Sequence, residues 1–184
     1  GLNYPDNLIV QGLYQFKPDL PFSPGHEGAG IISGAGKNVS SFNVGDKVAF
    51  FKGFGAFAEK IVVPETLAFP LQEKFPFHVA GGMFMVYSTS LLALKQRANI
   101  KAGDEVLVLG AAGGVGLAAV DLAKAYGARV VAAVSTKEKA EICRSYGADD
   151  VVIYGTEKLD KEGQISFGKE LKTKSKKGGY DIVY

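Results

Sequence analysis

Apolar positions in this chain fall into short runs, and the sharpest pattern lies between Glu105 and Ser135, EVLVLGAAGGVGLAAVDLAKAYGARVVAAVS. Glu105–Leu109 is a short apolar run of the kind a parallel sheet buries on both faces. Gly113, Gly114 and Gly116 follow at once, and Leu117–Tyr126 continues as an alanine-rich helix. Gly127 ends that helix, and Val130–Val134 is a second, β-branched strand. Strand, glycine turn, helix and strand within about 30 residues make a βαβ unit.

The flanking pattern differs on the two sides. Gly1 to about Pro76 is β-rich and irregular, with Pro5, Pro18, Pro21 and Pro24 arguing against long helices. Strands are expected at Ala29–Ser33, after the Gly45-Asp46 turn, and at Gly55–Val63, where Pro64 stops the run; together they suggest a small barrel. From Phe77 to Ala98 the apolar spacing becomes helical, and Gly81-Gly82 predicts two helices with a break. The domain boundary is expected near Phe75–Val86, giving one domain over 1–78 and a second over 79–184. Beyond Tyr146, further strands are expected at Val151–Ile153 and Asp181–Tyr184, with a solvated helix and turn over Thr156–Lys177. The fold class is therefore α/β plus β: a partial barrel followed by a partial doubly wound parallel sheet of the dinucleotide-binding type.

The glycine turn carries the candidate chemistry. Without side chains at Gly113 and Gly114 the backbone can approach a pyrophosphate, while Gly116 lets the helix pack close on the strand. The helix N–H groups and positive dipole end then face the phosphates. Ala111 stands where the usual first glycine would be, so the motif is AxGxxG; a close-packed turn without ligand is the alternative. NAD-binding versions usually place an acid at the tip of the second strand. Here Ser135 and the lysines Lys137 and Lys139 occupy that region, which suits a 2′-phosphate and favours NADP(H). Two alternatives stay open: the lysines decorate an exposed helix, or Glu138 holds a ribose.

Composition narrows the classes. The 184 residues are 47% hydrophobic and 22% charged, as in an ordinary globular protein. A net charge of +2 gives no electrostatic case for nucleic acid or an anionic membrane as main partner. The single cysteine, Cys143, excludes an internal disulfide and a multi-cysteine zinc site, and packing is its expected role. No apolar run is long enough to span a bilayer and no signal peptide is visible, so the expected address is cytoplasmic, with a mitochondrial one open. The chain begins at Gly1 in mid-domain style and stops inside a strand, and is expected to be a fragment.

Several further segments, taken in order, carry a resemblance: GLNYPDNLIVQGLY (Gly1–Tyr14), PGHEGAG (Pro24–Gly30), VGDKVA (Val44–Ala49), GAFAE (Gly55–Glu59), VLGAAGGVGLAAV (Val108–Val120) and GAD (Gly147–Asp149). In order and spacing the chain resembles the zinc-independent quinone oxidoreductases, the zeta-crystallin type of the medium-chain dehydrogenase/reductase superfamily. The resemblance implies a GroES-like barrel domain before a Rossmann-type domain. It places Asn3 beside the nicotinamide and the quinone pocket and makes Tyr14 a pocket tyrosine; Leu8 stands where another member has a tyrosine. It places Thr89 near the nicotinamide end, Gly113, Gly114, Val115 and Gly116 at the pyrophosphate, Ser135 and Lys139 at the 2′-phosphate, and Tyr154 beside the adenosine half. A homo-oligomer, usually a homodimer, is implied as well.

His26-Glu27 matches the place where zinc alcohol dehydrogenases of the same superfamily carry a His ligand and its neighbouring Glu. A catalytic zinc takes three protein ligands; the cysteine expected upstream by analogy is absent, and no metal is expected. His26 is then a hydrogen-bonding turn residue and Glu27 a backbone anchor. With no metal and no Ser or Cys nucleophile, the chemistry expected is the cofactor's: a hydride passed to a small, apolar, electron-poor acceptor such as a quinone or enone, its oxygen stabilised by Asn3 or Tyr14. A 2-enoyl reductase and a non-catalytic, crystallin-like NADPH-binding protein are the alternatives.

Overall fold

The computed structural model describes all residues from Gly1 to Tyr184. They form two compact units, Gly1–Met85 and Val86–Tyr184.

The first unit opens with helix α1, Tyr4–Val10, which has Pro5 in its first turn, where a missing N–H costs nothing. Strands β1 (Glu27–Ile31), β2 (Lys47–Phe51) and β3 (Ala68–Pro70) form an antiparallel sheet in that order. Its register pairs Gly28 with Phe50 and Ala29 with Ala49. A Cβ on Gly28 would lie 2.5 Å from the Phe50 ring. The aromatic ring therefore covers the glycine across the ladder.

This sheet is what the chain contains of the expected barrel, and one strand is corrected. Gly55–Val63 does not pair as a strand; it runs as bends and loop. Gly55 sits at φ +98°, outside the extended region, and breaks the run. The segment is pinned instead by Ala56 N to Gly25 O at 3.1 Å, Phe57 N to Pro24 O at 3.0 Å and Lys52 Nζ to Val62 O at 3.0 Å.

Short helix α2, Phe77–Ala80, precedes α3, Phe84–Leu91, which continues as a π-helical stretch over Leu92–Arg97. The two compact units divide inside this helical region, at 85/86. The reason is local: α2 packs on β1, and the Met85 N–H donates to the Glu27 carboxylate at 3.0 Å.

In the second unit β4 (Glu105–Leu109), α4 (Gly114–Ala125), β5 (Arg129–Val134), α5 (Lys137–Ser145), β6 (Asp150–Ile153), α6 (Lys161–Lys174) and β7 (Ile182–Val183) alternate. The parallel sheet has the order β6-β5-β4-β7, the doubly wound arrangement with its reversal beside β4. Val106, Val108, Val130, Ala132 and Val134 pack with Val120 of α4 and Cys143 of α5 on one face. Leu107, Val131, Ala133 and Val152 pack with Phe167 and Leu171 of α6 on the other. Both faces are covered, which is why these strands read as unbroken apolar runs. Burial pushes the Cys143 thiol up, in line with a packing role.

Glu105 opens β4 yet is only 2% exposed. Its carboxylate accepts from Ser175 Oγ at 2.5 Å, Lys176 N at 3.0 Å and Arg129 Nη1 at 3.3 Å. Burial alone would raise its pKa, but these donors hold it below the usual carboxylate range. The lysine-rich turn after α6 is thereby fastened to the sheet. No helix is long and apolar enough to cross a membrane.

Candidate functional site

The carboxyl ends of β4, β5 and β6 gather most of the residues singled out in the sequence. After β4 the chain turns through Gly110 at φ +61°, a left-handed conformation suited to glycine, and reaches Gly113 as the N-cap of α4. Gly113 has φ −75° and ψ 164°, and α4 has no side-chain cap. A Cβ on Gly116 would lie 2.6 Å from Gly110 O and 2.8 Å from the Ala111 backbone, so the helix start is in direct contact with the turn. A Cβ on Gly113 would meet only Gly110 O, at 3.4 Å, leaving its outer side open. Close packing at Gly116 with open space at Gly113 is the division of roles a pyrophosphate turn requires. The fully buried Ala111 donates its N–H to Ala133 O at 3.2 Å, so the turn after β4 lies against the end of β5.

Ser135 follows β5 directly, and Lys139 sits one turn into α5 with its Nζ 2.9 Å from Ser135 Oγ. The pair brings an ammonium and a hydroxyl together at an exposed strand tip. Glu138 is exposed beside them; its own backbone N–H and the Thr136 hydroxyl lower its pKa. Tyr154 follows β6, its ring edge-on to Phe167 at 5.6 Å. Thr89 lies on α3, next to Ser90, whose buried hydroxyl is 2.9 Å from the Val115 carbonyl and 3.0 Å from Tyr184 Oη. That contact fastens α3 to the first turn of α4. Ser90 was not flagged from sequence, since nothing in its spacing distinguishes it from any polar helix residue.

The first unit holds a second cluster. Asn3 is the N-cap of α1, and its Nδ2 donates to Glu27 Oε1 at 2.6 Å. The Asn3 N–H donates to Asp6 Oδ2 at 2.8 Å. Asp6 Oδ1 accepts from Gly25 N at 3.0 Å and lies 2.8 Å from His26 Nδ1. Asp6, His26 and Glu27 are all buried, at 2%, 5% and 1% exposure. His26 is thus hydrogen-bonded in the turn and Glu27 anchors backbone, at Met85. Two of the three partners of Asp6, Gly25 and His26, are 19 and 20 residues away, so no local period marks it. Tyr14 lies in the loop after α1, half-buried. No set of three His, Cys, Asp or Glu side chains converges to hold a metal.

Comparisons with known proteins follow the same division. The alcohol dehydrogenase GroES-like domain matches residues 1–73, and the zinc-binding dehydrogenase family matches residues 114–184. The chain is 39% identical over 152 residues to the quinone oxidoreductase of Sus scrofa, covering 82% of this chain and 46% of that protein. It superposes on the quinone oxidoreductase of Thermus thermophilus, solved alone and in complex with NADPH, with a TM-score of 0.79 and 32% identity, over 100% of this chain and 54% of that one. The Escherichia coli quinone oxidoreductase complexed with NADPH gives a TM-score of 0.80 and 34% identity, over 92% of this chain and 52% of that one. The chain spans about half the length of the curated relatives it matches.

Proposed function

We propose that this chain, which belongs to the medium-chain dehydrogenase/reductase superfamily among the quinone oxidoreductases, carries the NADPH site and acceptor-facing residues of a zinc-free reductase. NADPH, when bound, supplies the hydride. The N–H groups at the start of α4, in Gly114, Val115 and Gly116, receive the pyrophosphate, with Gly113 keeping the approach open. Ser135 Oγ and Lys139 Nζ hold the 2′-phosphate, Tyr154 lies along the adenosine half, and Thr89 serves the nicotinamide end. In the first unit Asn3 and Tyr14 face the acceptor and stabilise its developing oxygen charge. Residues 1–78 thus serve the acceptor and 79–184 the cofactor. Homodimeric assembly and a cytoplasmic setting complete the reading.

The observation that carries it is an uncapped helix start beside the Ser135–Lys139 pair on one sheet edge. The zinc-free part is supported by the donor set, since both Asp6 oxygens and both Glu27 oxygens are already occupied by N–H groups. The test is NADPH oxidation by the full-length protein with 9,10-phenanthrenequinone, with a crotonyl thioester, and with neither. Turnover with the quinone alone is expected. Turnover with the thioester instead would reassign the chain as an enone reductase, and tight binding without turnover would leave a non-catalytic NADPH protein.

A further inference from the structure

The second unit contains a fully buried hydroxyl with three oxygen neighbours, that of Ser90 on α3. A serine within a helix ordinarily bonds back to the carbonyl one turn earlier. Ser90 Oγ has that bond, 3.0 Å from Val86 O, and it also reaches Val115 O, 25 positions along, at 2.9 Å. Tyr184 Oη stands 3.0 Å from the same hydroxyl. A serine hydroxyl carries one proton and two lone pairs. With that proton turned to a carbonyl, Oγ meets Tyr184 only as an acceptor, so the phenol donates. Tyr184 is itself held on the sheet, its N–H donating to Leu107 O at 2.8 Å and its carbonyl accepting from Leu109 N at 2.9 Å. Helix α3 also touches the glycine turn directly, since a Cβ on Gly114 would lie 3.0 Å from Val86 Cγ1.

The carbonyl that Ser90 reaches belongs to the peptide joining Val115 to Gly116. The N–H of that peptide is Gly116's, in the first turn of α4, where no side-chain cap is present. A hydrogen bond to a peptide oxygen draws charge from its nitrogen and makes the N–H a stronger donor. We infer that Ser90, backed by Tyr184, is the positioning residue of the pyrophosphate turn: it fixes the Val115–Gly116 peptide and polarises its N–H for a phosphate. This rests on the NADPH reading. The chain of donors runs from Tyr184 Oη through Ser90 Oγ to the Val115–Gly116 peptide, and a bound pyrophosphate completes it. The pyrophosphate is common to NADPH and NADH, so Ser90 serves both, unlike the Ser135–Lys139 pair. Its effect falls on holding the diphosphate and not on hydride transfer.

The test measures binding to the full-length protein by calorimetry, with NADPH, with ADP-ribose and with adenosine 2′-phosphate. ADP-ribose keeps the pyrophosphate and lacks the nicotinamide, whereas adenosine 2′-phosphate lacks the pyrophosphate. Ser90→Ala should weaken NADPH and ADP-ribose alike, about fivefold, within what one neutral hydrogen bond contributes. Adenosine 2′-phosphate should bind within twofold of the parent. Tyr184→Phe should weaken the first two ligands about threefold and add nothing in the Ser90→Ala background, because the two hydroxyls act as one unit. Loss of affinity for all three ligands would mean a loosened fold, and loss for NADPH alone would mean an effect on the nicotinamide end through neighbouring Thr89; either overturns the role. NADPH and ADP-ribose binding within twofold of the parent in Ser90→Ala overturns it too, while leaving the NADPH site in place. Should Ser90→Ala not fold, unchanged ADP-ribose affinity in Tyr184→Phe overturns it equally. If the parent binds neither NADPH nor ADP-ribose, the NADPH reading and this role fall together.

Discussion

Three helices of the second unit follow parallel strands, and their first turns are built differently. Thr136 Oγ1 caps α5 by accepting from Lys139 N at 3.3 Å, and Asp160 Oδ1 caps α6 by accepting from Gly163 N at 2.7 Å. Both helices also carry an acid in the first turn, Glu138 and Glu162, opposite the positive end of the dipole. At α4 the cap is Gly113, no side chain accepts from the first turn, and no acid is present there. A helix start leaves up to four N–H groups without an intrahelical partner. Where α5 and α6 meet solvent the chain supplies oxygens of its own. At α4 it withholds them, and Gly113, whose Cβ would meet only Gly110 O at 3.4 Å, leaves its outer side open. Of the three starts, the one without a side-chain cap is the one proposed to receive an anion.

The comparison is broken most strongly by giving α4 what its neighbours have. Gly113→Asp places a carboxylate at the N-cap, a residue type favoured there, and the backbone at φ −75° accepts it without strain. Its Cβ would make only an ordinary contact, 3.4 Å from Gly110 O. Folding stability should hold or rise by roughly 0.3 kcal/mol, the small advantage of an acid over glycine at an N-cap. NADPH affinity should fall at least a hundredfold, about 2.7 kcal/mol, because the new charge opposes the pyrophosphate at the same N–H groups. Titration of NADPH fluorescence alongside urea denaturation reads both. Binding within threefold of the parent would refute the phosphate assignment.

How far the sequence led can be judged from particular residues. The βαβ unit was legible because β4 and β5 are buried on both faces, so apolar runs and glycines mark its strands and turn without ambiguity. Gly116 was legible for the same reason: a packing requirement acts within six residues, between it and Gly110. The strand expected at Gly55–Val63 was not formed, since alternation alone does not reveal that Gly55 leaves the extended region or that no partner strand aligns there. The Asp6–His26 and Asn3–Glu27 contacts join residues 20 and 24 apart through an irregular loop, and no local period encodes them. Glu105 shows the same limit. A charged residue at the head of a strand reads as exposed until Ser175 and Lys176, about 70 positions later, are seen to satisfy it.

A smaller effect sharpens the same contrast at the neighbouring strand. Lys139 Nζ lies 2.9 Å from Ser135 Oγ on an exposed turn, where a 2′-phosphate would complete the pair. Lys139→Glu reverses the charge there without touching the α4 turn. NADPH should bind roughly tenfold more weakly, about 1.4 kcal/mol, and NADH within threefold of the parent. Because the site is exposed, raising the salt should shrink the NADPH effect. Equal losses for both cofactors would show that Lys139 acts on the fold or on the shared part of the dinucleotide, and the 2′-phosphate assignment would fall.

The smallest effect comes from removing a cap that has only a structural task. Asp160→Ala deletes the oxygen that accepts from Gly163 N at 2.7 Å. The loss should be about 1 kcal/mol of stability, read as a lower urea midpoint with an unchanged slope. NADPH affinity should stay within twofold, because α6 lies beyond β6 on the other face of the sheet from α4. A fall in affinity as large as that from Lys139→Glu would mean that the start of α6 also takes part in binding. Capped and uncapped helix starts would then no longer separate structure from site in this chain.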